Sequence, residues 1–207
     1  MIYNQIAGRN VGRLAALSDG VFAFAMTLLV LDLRVPAAEL VHSEHDLLRR
    51  LAALTPNLLT YLMSFMTLGM FWVGQQTQLN KVDHSDRDFA WLHLAFLLAV
   101  TMVPFSTELL AAFIAYRAAL LIYWLNILAL GATLWLSWRY VRRAKLLRAD
   151  APSEVDPAIV HRIAIAQALY AFGAALCVFN TYLSIGFIIL VQLNYVFAPK
   201  IAVLRRL

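Results

Sequence analysis

Asp19 is a carboxylate set within an apolar run, Leu14–Leu33, whose core from Gly20 to Leu31 carries no charge. An ionisable side chain inside a membrane-length stretch is costly and marks a functional position by default. The chemistry open to it is ion or proton handling, or a polar network between helices. Arg13 lies six positions away, which is 240° around a helix, so the two cannot share a regular face. Partners must come from other helices. Counting depth from the inner ends of the next two apolar stretches brings Trp72, Gln75 and His93 to the level of Asp19. Trp72 as an interfacial anchor and His93 as a snorkelling headgroup-level residue is the alternative reading.

Little else in the chain is equipped for reaction chemistry. There is no His-Glu-x-x-His, no Gly-x-Ser-x-Gly and no paired intramembrane Asp motif. His42, Glu44 and His45 read as solvated surface residues, and Glu108 as a vestibule charge or a boundary residue. The lone Cys177 excludes an intrachain disulfide and a multi-cysteine metal site. The sequence therefore predicts no enzyme and no cofactor. A second face of the first apolar run is apolar throughout. Phe24, Thr27, Leu28 and Leu31 fall within about 100° of one another by the helical period, and Leu17 continues the stripe below. Asp19 is about 140° from Phe24 on the same helix, so the acid and the stripe point apart. Periodicity alone does not separate a pore face from a packing face.

The elements that must position these residues follow from composition. Of 207 residues, 62% are hydrophobic and only 14% charged, far from the quarter charged that is usual in soluble domains. Windows free of Asp, Glu, Lys and Arg run over Leu51–Asn80, Phe89–Thr107, Ala118–Trp138 and Ile163–Pro199. The last, at 37 residues, would reach about 55 Å as one helix, beyond a hydrocarbon core of about 30 Å. It must fold back, and Asn180, Ser184 and Gly186 mark the predicted turn. The expected fold is all-α: a single polytopic domain of six transmembrane helices, at approximately 14–34, 56–79, 89–110, 118–139, 161–180 and 183–199.

With six spans, thirteen Lys and Arg residues collect on the side of the N-terminus and four on the other. Treating the 37-residue window as one span weakens this to ten against seven. The positive-inside rule then places both termini in the cytosol, in a multi-pass protein of the cell membrane. Between the first two spans, Glu39–Leu54 has its leucines at helical spacing and reads as an interfacial helix or a solvated connector. Arg139–Asp156 reads as a cytosolic hinge, and its basic run Arg139–Arg148 as a contact for anionic headgroups rather than nucleic acid.

The segment from Arg13 through Leu17-Ser18-Asp19 to Phe24, Thr27, Leu28 and Leu31 resembles the signature helix of the transmembrane protein 175 family, an Arg-x-x-x-Phe-Ser-Asp motif followed by an apolar helix. Phe71-Trp72, Trp91-Leu92-His93-Leu94 and Val103-Pro104-Phe105 are similar to that family's second and third helices. The resemblance implies a potassium-permeable channel assembled as a homotetramer in the lipid bilayer, with the first helix of each subunit lining a central pore. Permeant monovalent cations, potassium above all, are then the ligands. It implies Phe24 as the narrowest ring, with Thr27, Leu28 and Leu31 above it. Arg13, Ser18 and Asp19, with Trp72 as their partner from the second helix, would form a polar network behind the pore, to which the depth count adds Gln75 and His93. Leu17 stands where the motif has Phe, and Phe24 where relatives usually have an aliphatic residue.

No Thr-Val-Gly-Tyr-Gly filter is present, so selection would fall to a hydrophobic constriction that imposes a dehydration barrier. The competing reading is a proton-coupled secondary transporter in which Asp19 cycles protons at mid-membrane. It lacks the internal repeat and the Gly/Pro-broken helix pairs of many transporter folds.

Overall fold

The computed structural model describes residues 9–149 and 155–197. Its described residues are helical, with eight α-helices and three short 3-10 turns. α1 (Val11–Leu28) is capped by Asn10, whose side-chain oxygen accepts from the Arg13 amide at 3.1 Å, and tightens into a 3-10 turn over Leu29–Asp32. α2 (Glu44–Ala53) is a short helix with Ser43 as its cap, lying within the segment expected to be interfacial. α3 (Thr55–Leu79) starts with Pro56 in its first turn, where a missing N–H costs nothing.

α4 (Arg87–Thr101) and α5 (Val103–Ala112) occupy the predicted third span, which is thus two helices rather than one. Pro104 explains the break: it has no N–H to give and its ring clashes with the turn before it. Backbone freed at membrane depth needs new partners. Asn126 provides one, donating from Nδ2 to the Ala99 carbonyl at 2.9 Å, while its Oδ1 accepts from Ser106 Oγ at 3.0 Å.

α6 (Arg117–Arg143) runs on past the predicted span end at 139, so the first five residues of the segment read as a hinge are helical. It closes with Lys145 in the left-handed region (φ 56°), which lets the Leu146 amide reach the Val141 carbonyl at 3.0 Å. The strand-like pairing of Val82 with Leu147, flanked by Asp83 N to Leu146 O and Arg148 N to Lys81 O, then ties this loop to the end of α3.

α7 (Val155–Ala175) ends in a 3-10 turn over Leu176–Val178, and α8 (Thr181–Phe197) returns beside it. The chain does fold back, but at 176–180 and not as far as Ser184 and Gly186, which both lie inside α8. Small residues serve helix contact in membranes as readily as turns. Ser184 is buried and donates its hydroxyl to the Gly173 carbonyl across the hairpin. A Cβ on Gly173 would lie 2.9 Å from Ile188 and 3.0 Å from Phe187. Gly173→Ala is expected to cost about 1–3 kcal/mol through overpacking, read as a lower apparent Tm in detergent with the same oligomeric mass.

Among the described residues five helical segments are long and apolar enough to cross a membrane: Val11–Asp32, Thr55–Leu79, Arg87–Ala112, Arg117–Arg143 and Pro157–Val178; Thr181–Val196 is a shorter apolar helix. The protein is a multi-pass membrane protein. Its main core gathers Phe22, Leu29, Leu68, Phe96, Leu120 and Ile188 from five helices and the 3-10 turn that ends α1. Hydroxyls and amides cross-link that core. Thr107 donates to Ser64 at 2.6 Å, Tyr123 Oη lies 3.2 Å from both Ser64 and Thr67, and Gln192 donates to Thr67 at 2.7 Å and to Tyr170 at 3.3 Å.

Candidate functional site

α1 is packed on one side only. Its inner face carries Ser18, Phe22, Ala25 and Leu29, all buried, with the Phe22 ring 5.9 Å from that of Phe96. The opposite face is open. Phe24 and Leu31 are each 66% exposed and Leu17 46%, with Thr27 also exposed and Leu28 half-buried. Only 22% of the most apolar stretch of this span is buried, against 44% for Arg87–Ala112. Pro157–Val178, at 17%, is barer still, so low burial alone does not single α1 out. What distinguishes α1 is the polar chemistry on its flank.

That chemistry is divided between two neighbouring residues. Ser18 is fully buried; its Oγ donates to the Leu14 carbonyl at 2.8 Å, lies 2.6 Å from His93 Nε2 and accepts from Gln75 Nε2 at 3.0 Å. Asp19, one residue on and 100° around, is exposed on the surface of the single chain. Its Oδ1 accepts from Trp72 Nε1 at 2.8 Å and from Gln76 Nε2 at 2.7 Å. These are charge-assisted bonds, the stronger kind.

The predicted residues are thus sorted differently from the sequence expectation. Trp72 does reach Asp19, but Gln75 and His93 reach Ser18 instead. The Arg13 side chain forms no hydrogen bond or ion pair with a described residue and joins neither group. The second partner of Asp19, Gln76, was not expected. It sits four residues after Trp72, and residues at that spacing share a helix face, so the signal was present once Trp72 was chosen.

Thr27 has a further property. Its hydroxyl donates to the Phe24 carbonyl at 2.8 Å, which commits its only proton to the helix backbone. The oxygen lone pairs are left facing the open side. Beside this stripe a groove runs along Leu17, Gly20, Phe24 and Leu28 to Thr101 of α4, kept open by Gly20, where an added Cβ would meet nothing within 4 Å. Among the described residues no group of three His, Cys, Asp or Glu side chains converges in a way that would hold a metal ion. The arrangement presents an apolar face with spare oxygens, not a reaction centre.

Residues 13–104 match the model of the family described as endosomal/lysosomal potassium channel TMEM175. The chain is 34% identical over 180 residues to a protein of Chamaesiphon minutus named as a potassium channel, spanning 84% of this chain and 88% of that relative. A protein of Streptomyces collinus, also named as a potassium channel, is 35% identical over 149 residues, with 69% and 71% covered. The fold superposes on the crystal structure of a lysosomal potassium-selective channel TMEM175 homolog from Chamaesiphon minutus with a TM-score of 0.76 at 29% identity, over 92% of this chain and 98% of the other. With a relative this similar along nearly its whole length and the matching helices those that carry the site, the chain belongs to the TMEM175 family.

Proposed function

We propose that the protein is a potassium-permeable cation channel, formed by four copies of the chain in a cell membrane, each with six spans and both termini cytosolic. Two relatives named as potassium channels support the ion. The observation that carries the pore assignment is the orientation of α1: Phe24, Thr27 and Leu31 face outward from the subunit while Ser18 and Asp19 are tied to α3 and α4. An apolar face turned outward from each copy can be buried against an axis, and the acid stays off it.

In this reading Phe24 forms the constriction. Apolar rings too narrow for bulk water impose a dehydration barrier, and opening widens or rewets them through a tilt or rotation of the four helices. Potassium gives up its water more easily than sodium. Four Thr27 oxygens, whose protons are engaged elsewhere, would supply replacement ligands just beyond the ring. Selectivity is then set by dehydration together with a few hydroxyl oxygens.

The test is ion flux in proteoliposomes holding purified protein of known oligomeric mass. Potassium gradients are expected to drive faster flux than sodium gradients, with no fixed ratio of protons moved. A stoichiometric proton counter-flow would replace the channel with a transporter working through Asp19. A monomeric mass would remove the shared pore.

A further inference from the structure

The cytosolic end of α6 carries a second site. Trp135, Trp138, Arg139, Arg142 and Arg143 stand at i, i+3, i+4, i+7 and i+8, a single helical face. With Val160 of α7 they line a groove of about 420 Å³, a size within the range of small-molecule sites. Its floor is apolar, with Trp138 buried, and its rim is cationic. The Arg139 guanidinium carbon lies 5.2 Å from the centroid of the Trp135 ring, so a cation–π contact fixes the plane of that guanidinium. Asp86, an acid at this end of α6, accepts from Tyr140 Oη at 2.7 Å on the adjoining face and does not line the groove.

We propose that this groove binds the phosphate headgroup of an anionic glycerophospholipid from the inner leaflet, with its acyl chains running down between α6 and α7 past Trp135. Guanidinium groups match phosphate oxygens with paired N–H donors, which ammonium groups do not. Basic pockets between helices at the cytosolic surface are placed where such headgroups lie, and indole rings favour the same depth. A diffuse contact of the whole basic run would need only charge. The groove adds walls and a fixed guanidinium, and so predicts a saturable site confined to one face.

The site depends on insertion in a bilayer and not on conduction, so its failure and that of the channel reading are separable. Native mass spectrometry of the assembled protein titrated with phosphatidylglycerol or phosphatidylcholine of matched chains measures it directly. The wild type is expected to retain phosphatidylglycerol preferentially, and Arg139→Gln with Arg143→Gln to lower that preference about tenfold. Lys81→Gln with Lys145→Gln, the same charge loss outside the groove, is expected to leave it near wild type. Equal loss in both pairs, or no preference in the wild type, overturns the proposal. A photoactivatable phosphatidylglycerol tests the unaltered protein: labelling of 135–143 and of the segment around Val160 supports the site, and labelling only elsewhere overturns it. If the arginine pair fails to assemble, this labelling decides the matter.

Discussion

Phe24→Ala should raise potassium flux through the assembled protein about tenfold or more and weaken its preference for potassium over sodium. A barrier lowered by about 1.4 kcal/mol multiplies a rate tenfold, and the substitution removes one aromatic ring per subunit from the proposed constriction. The fold should tolerate it, because Phe24 is two-thirds exposed in the single subunit and sits outside the aromatic cluster of Phe22, Phe71 and Phe96. Phe22→Ala is the contrast. That ring is 1% exposed and packed on Phe96, so its loss should cost about 3–5 kcal/mol of stability. Flux and thermal unfolding measured on both variants separate pore from core. Unchanged flux and selectivity in Phe24→Ala would take residue 24 out of the conduction path.

Asp19→Asn is expected to reduce the yield and detergent stability of the oligomer, or to alter its gating, while leaving the permeability ratio of whatever conducts unchanged. The substitution keeps an acceptor for Trp72 and Gln76 but removes the charge that strengthens both bonds. A hydrogen bond to a charged group is worth about 1.5–3 kcal/mol, against about 1 for a neutral pair. Asp19→Ala, which leaves both donors without their acceptor, should be worse. Size-exclusion mass and flux recorded on the same preparations check the order. A pure permeation defect in a correctly assembled oligomer would place the acid on the conduction path and contradict the orientation argued for α1.

How far this site could be read from the sequence depends on which coordinate is asked for. Depth was legible: Asp19, Trp72, Gln75 and His93 do lie at one level, because charge-free windows locate the ends of apolar helices. Azimuth was not. Ser18 and Asp19 are adjacent in sequence and 100° apart in space, and that angle decided that Gln75 and His93 serve the serine while Trp72 and Gln76 serve the acid. The interruption at Met102 was hidden because an apolar run has the same composition whether it is one helix or two. Only Pro104 hinted at it. The turn before α8 was placed too far along the chain by Ser184 and Gly186, since small residues mark loops in water but close helix contacts in lipid. The Ser64, Thr67, Thr107, Tyr123, Gln192 and Tyr170 cross-links lie within apolar helices with no charge to flag them.

The paired attachment of Ser18 and Asp19 to consecutive glutamines of α3 constrains how α1 could open a path. Twisting α1 about its own axis would have to tear both residues from Gln75 and Gln76 at once. Swinging it about that level keeps all of these bonds and turns the helix into a lever with its fulcrum at the serine. Phe24 then sits on an arm of about 9 Å and Leu31 on one of about 20 Å, so a given swing sweeps Leu31 more than twice as far as Phe24.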